Sequence, residues 1–98
     1  MLLRANLLLK SLHTQRSQHL RAELRAAREA ASITQQDLAQ RLGVPQSFVS
    51  KYESGERRLD VIELLEVCEA LGLDVAALLR GLVAVPPAAE RRGAGRTK

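Results

Sequence analysis

Between Thr34 and Gly55 the sequence TQQDLAQRLGVPQSFVSKYESG punctuates itself into two short helices separated by a very short turn. Thr34 with Asp37 three positions on forms the reciprocal capping pattern that satisfies two otherwise orphaned backbone N–H groups, so a helix starts at Gln35. Leu38, Ala39 and Leu42 recur at helical spacing until Gly43, which takes the left-handed conformation that ends a helix without steric cost. Val44 and Pro45 lead into a second helix, because proline has its φ preset for a first turn. That helix is expected over residues 46–54, stopped by Gly55.

The second helix divides into two faces. Phe48, Val49 and Tyr52 lie on one side, while Gln46, Ser47, Ser50, Lys51 and Ser54 lie on the other. An acid-free face of glutamine, serine and lysine is either a solvated surface or a set of donors and acceptors suited to base edges in a major groove. Gln46, near the helix start, suits adenine; Lys51 suits guanine; Ser47 and Ser50 suit bases or phosphates. The amino end of the preceding helix, at Gln35 and Gln36, suits a phosphate, since side chain and helix-end N–H groups both favour an anion. Arg57 and Arg58, just after Gly55, are either a solvated basic turn or further phosphate partners.

The flanking segments are helical too. Leu20, Leu24, Ala27 and Ala31 form a stripe over about Gln18 to Ala31. Asp60 with Glu63 repeats the capping pattern ahead of Val61 to Leu71, where Leu64, Val67, Cys68 and Leu71 have core spacing and Gly72 ends the helix. Asp74 caps a last helix from Val75 to about Val83, whose Leu78, Leu79 and Leu82 exceed what one small core can use, so this helix and the leucine-rich amino end are the two seams available to a dimer. The acids Glu63, Glu66 and Glu69 form a stripe expected to face away from any phosphate backbone. Phe48 and Tyr52 are the two aromatic side chains among 98 residues, so Leu, Val, Ile and Ala must fill the interior of a single all-α domain. The lone Cys68 rules out an internal disulfide and fits a small packing residue in a reducing cytoplasm.

The net charge of +4 is misleading as a whole-chain number. Residues 1–22 hold Arg4, Lys10, Arg16 and Arg21 without an acid, and residues 86–98 hold four cations against Glu90, which leaves the middle at −3. Any surface for a polyanion must therefore be local. Residues 1–17, crowded with Leu2, Leu3, Leu7, Leu8, Leu9 and Leu12, are too short and too charged for a membrane span and have no cleavage site of a secretory signal. Docking on the domain, on a second subunit or on a protein partner is favoured over exposure of six leucines; a mitochondrial presequence ranks last. Residues 18–83 make the domain and residues 84–98 a basic tail that Pro86-Pro87 opens.

The spaced signals T-Q-x-x-L-A at 34–39, G-V at 43–44, Q-S-x-V-S-K-Y-E-x-G at 46–55 and A-L-G at 70–72 resemble the DNA-binding domain of phage Cro/C1-type repressors, the xenobiotic-response-element family, over residues 24–79. The resemblance implies a compact five-helix, lambda-repressor-like fold and a transcriptional repressor of double-stranded DNA. It implies base reading by Gln46, Ser47, Ser50 and Lys51, and a structural ion pair between Arg28 and Glu53. Pro45 departs from the commoner serine or threonine there, so the usual side-chain cap is missing. One such helix reads too few bases to find a site in a genome, so a homodimer on a palindromic operator is expected. The alternative is an antitoxin that binds a protein partner through residues 1–17 and regulates its own operon. An enzyme is not expected: there is no convergent Ser/His/Asp set, no phosphate-cradling glycine loop, no cofactor motif and no metal cluster, and His13 and His19 lack the spacing of a helical metal pair.

Overall fold

The computed structural model describes residues 14–86, and these form five α-helices and no strand. In chain order they are α1 (Gln15–Ala30), α2 (Gln35–Leu42), α3 (Gln46–Ser54), α4 (Val61–Leu71) and α5 (Val75–Ala84). Expectations for the leucines of the amino end, for His13 and for the tail beyond Pro86 lie outside the described residues.

Local chemistry sets the boundaries. The Thr34 hydroxyl accepts from Asp37 N–H at 3.0 Å and the Asp37 carboxylate accepts from Thr34 N–H at 3.1 Å, closing the capping box of α2. Asp60 and Glu63 do the same for α4 at 2.7 and 2.9 Å. Asp74 accepts from Ala76 and Ala77 N–H at the start of α5. Gly43, Gly55 and Gly72 all adopt positive φ, between 71° and 90°, and turn the chain out of α2, α3 and α4. At α3, Pro45 occupies the cap position in extended conformation and no side chain caps the helix.

Two boundaries differ from the pattern in the sequence. α1 begins at Gln15 rather than near Gln18, because the Thr14 hydroxyl accepts from Ser17 N–H at 3.1 Å and supplies a cap ahead of the apolar stripe. Ala31 is exposed and closes the helix instead of extending the stripe, and Ile33, in the loop beyond, takes the buried position.

The core gathers one to three residues from each helix: Leu24 of α1, Leu38 and Ala39 of α2, Val49 and Tyr52 of α3, Leu64, Val67 and Cys68 of α4, and Leu78 of α5, together with Ile33. Burial raises the pKa of the Cys68 thiol, in keeping with a packing role. The ends of the fold are tied by Arg16, whose guanidinium donates from Nε to Leu82 O at 3.0 Å and to Val85 O at 3.1 Å, and from Nη2 to Val85 O at 2.7 Å and Val83 O at 3.3 Å. A cation at the carbonyl end of α5 complements the helix dipole as well as its unpaired acceptors. Leu79 and Val83 of α5 and Val61 and Ile62 of α4 remain exposed.

Candidate DNA interface

The turn between α2 and α3 is short and internally bonded. Gly43 N–H donates to Gln40 O at 3.2 Å and Val44 N–H to Ala39 O at 3.0 Å, while Val44 itself packs against the core. α2 and α3 are thereby held as one rigid angle. α3 buries Val49 and Tyr52 completely and keeps Phe48 half-covered, its ring edge-on to Tyr52 with centroids 6.0 Å apart. On the opposite face Gln46, Ser47 and Lys51 are exposed and Ser50 is half-exposed. Ser50 Oγ donates to Ser47 O at 3.3 Å and Ser54 Oγ to Lys51 O at 3.1 Å, so both hydroxyls retain acceptor capacity toward the outside. The Lys51 ammonium has no hydrogen bond or ion pair among the described residues.

This face is anchored from within by a chain of polar contacts. Arg28 donates from Nε to Glu53 Oε2 at 2.7 Å, from Nη2 to Glu53 Oε1 at 3.1 Å, and from Nη1 to the Ile33 carbonyl at 2.8 Å. The two side chains are 9% and 3% exposed, and the Glu53 hydrogen bonds hold the guanidinium pKa above its ordinary value despite burial. Gln35 Nε2 donates to Glu53 Oε1 at 2.9 Å, and Gln46 Nε2 donates to Gln35 Oε1 at 3.4 Å. Arg28, Glu53, Gln35 and Gln46 thus form one line from the core of α1 to the outer face of α3. Gln35, expected at a phosphate, is half-buried and turned toward this line; Gln36 beside it is exposed. With Thr34 bonded to Asp37 N–H, the backbone N–H groups of Gln35 and Gln36 have no intrahelical acceptor.

Arg57 and Arg58 part company. Arg58 is exposed. Arg57 is half-buried, lies 4.3 Å above the Phe48 ring, and grips Glu63 from Nη1 and Nη2 at 3.0 and 2.9 Å. Glu63 is therefore not turned away from this side, and Glu66 lines a small hollow with it beside Phe48. Glu63 links α4 to α3 through Arg57, and that hydrogen bonding, with the Asp60 N–H, lowers its pKa to about 2. The spacing of charges in the sequence carries no sign of this contact, because Glu63 already had a complete local role as a cap.

Two helices locked at a short turn, the second presenting a polar face backed by a buried ion pair, with the Glu56 carboxylate touching that face only at its far end through Ser54 Oγ at 3.2 Å, define a helix-turn-helix module. Comparison with known proteins agrees. Residues 24–78 match the helix-turn-helix family profile. The chain is 54% identical to an XRE-family like protein from Pseudomonas syringae pv. tomato, with a TM-score of 0.71, covering 81% of this chain and 96% of that one. It is 37% identical over 60 residues, 61% of its own length, to an uncharacterised HTH-type transcriptional regulator, y4dL, from Sinorhizobium fredii, and spans 31% of that relative. The chain belongs to the Cro/C1-type, or XRE, helix-turn-helix family, a class of non-catalytic DNA-binding regulators. No helix among the described residues is long and apolar enough to cross a membrane.

Proposed function

We propose that this chain is a cytoplasmic, sequence-specific transcriptional repressor that inserts α3 into the major groove of a palindromic operator. The observation that carries this reading is the polar line from Arg28 to Gln46, which holds an otherwise solvated glutamine in a fixed place on the outward face of a short helix. Gln46 and Lys51 read base edges, with Ser47 and Ser50 between them; a good bidentate contact contributes roughly 1–3 kcal/mol of discrimination. The Gln35 and Gln36 backbone N–H groups and Arg58 take phosphates, and Arg57 contributes charge from the pocket where Phe48 and Glu63 keep it. Because residues 23–85 carry a net −3, affinity rests on these few groups rather than on an overall positive field.

A homodimer supplies the second half-site, about 34 Å away along the duplex. The exposed Leu79 and Val83 on α5 are its seam. Selecting bound duplexes from a random pool, with the stoichiometry of the complex measured, tests the whole reading. A palindromic consensus bound by two chains is expected; recovery of unrelated sequences would end it.

A further inference from the structure

Between α1 and α5 a hollow of about 260 Å³ opens toward the loop that follows Gly55. Its wall is mostly apolar, and Leu20 of α1, Leu59 of the loop and Leu82 of α5 line it while remaining only half-buried. Guanidinium groups at its rim are engaged within the domain: Arg16 by the carbonyls that end α5, Arg21 by Ser17 Oγ at 2.7 Å, and Arg57 by Glu63. What the hollow leaves unmet is apolar contact, which a hydrocarbon side chain supplies and an ion does not. At interior packing density, near three quarters, its volume holds on the order of ten non-hydrogen atoms, or about two to three leucine side chains.

The chain itself brings such side chains to the rim. Thr14 both lines the hollow and caps α1 in an extended conformation, with φ −75° and ψ 163°, so the residues before it leave the helix axis there. Residues 1–13 hold Leu2, Leu3, Leu7, Leu8, Leu9 and Leu12. Leu12 precedes Thr14 by two residues and Leu9 by five, contours of at most roughly 7 and 18 Å, so both reach the hollow. A tether that short raises the local concentration of the leucine run to the millimolar range or above, which sets it ahead of a free ligand or a separate partner. A second copy is seated elsewhere, because Leu79 and Val83 of the proposed seam are exposed while Leu82 lines the hollow.

We propose that the leucine run at 7–12 docks within its own chain into this hollow, seating Leu8, Leu9 and Leu12 against Leu20, Leu59 and Leu82. Lys10 stays at the solvent edge, as a long cationic side chain allows. Docking is read without DNA, so it stands or falls separately from the groove reading.

The test records methyl–methyl nuclear Overhauser contacts in the full chain labelled at leucine, with a second sample mixed from labelled and unlabelled chains. Contacts from Leu8, Leu9 and Leu12 to Leu20, Leu59 and Leu82 are expected within one chain, unchanged on dilution. Replacing Leu8, Leu9 and Leu12 together by serine alters no residue of the described core, so the protein should stay folded by circular dichroism. Amide protection in α5, relative to α2, should then fall about tenfold or more, and the dye anilinonaphthalene sulfonate should bind the opened hollow. Unchanged protection of α5 in the folded serine variant would overturn the docking. Absence of the methyl contacts would do the same and leave the run to a protein partner. Contacts found only between chains would also overturn it, since a second copy would then fill the hollow.

Discussion

Arg28 and Glu53 meet through two hydrogen bonds of 2.7 and 3.1 Å in a place where both side chains are almost wholly buried, so neither charge survives without the other. Removing one partner leaves an uncompensated buried ion. Arg28→Met or Glu53→Leu alone should therefore lower stability by roughly 3–5 kcal/mol, whereas the double change should recover most of that loss. Urea unfolding of the three variants checks it; additive single losses would contradict this account of the pair.

Gln35 separates fold from reading, because it touches Glu53 on one side and Gln46 on the other. Gln35→Ala removes a partner of a carboxylate that keeps both bonds from Arg28, so the melting transition should move little. The freed Gln46 should then lose preference at its base. Binding to the selected operator is expected to fall about tenfold, with discrimination at that one position flattened across all four bases. A uniform loss over every position would show that Gln35 acts on phosphates alone.

Lys51 is exposed and unpaired among the described residues, so its truncation costs the fold nothing that the structure records. Lys51→Ala should weaken operator binding by an order of magnitude or more at fixed salt, in line with loss of a base contact. Circular dichroism and melting temperature should match the parent. Unchanged affinity removes Lys51 from the reading face.

Glu63 makes stability depend on acid. Its folded-state pKa is lowered to about 2 from 4.5 by Arg57 and the Asp60 N–H, so its stabilising contribution is complete above the unfolded value and disappears as pH falls toward 2. Melting temperature should decline across that window. Glu63→Gln should flatten the decline while lowering stability near neutrality; parallel pH curves for the two proteins would show that other carboxylates govern it.

Arg16 is expected to control the end of the last helix. Arg16→Ala removes four contacts to the carbonyls of Leu82, Val83 and Val85, at a cost of roughly 1–3 kcal/mol for charged hydrogen bonds to one helix end. Amide exchange should accelerate in α5 well before it does in α2 or α3. Equal acceleration everywhere would mean that the contact stabilises only the domain as a whole.

The parts of this fold that were plain in the sequence are those written within one turn of helix. Thr34 with Asp37, Asp60 with Glu63, and the glycines at 43, 55 and 72 set boundaries through neighbours three or four positions away, and their geometry follows from residue type. The division of α3 into a buried and an outward face also follows from spacing, since Val49 and Tyr52 fall on one side of a regular helix. Contacts formed across the chain were not legible. Arg16 looked like one more cation of a basic amino end until α5 brought its carbonyls alongside, and Glu63 had a sufficient local role before Arg57 folded over Phe48. Gln35 faces inward because Glu53 lies behind it, a fact about the angle between two helices that neither helix contains alone.

The grip of Arg16 on Val85 brings the first and last turns of the domain together, so the polypeptide enters and leaves at one place. Topologically the five helices form a nearly closed circuit with a single gap. Such a circuit can be cut at an exposed connection and rejoined across the gap by a short linker while its neighbours in space stay the same. For the same reason it can be spliced into a larger polypeptide as a self-contained loop, with the groove-reading angle of α2 and α3 carried intact.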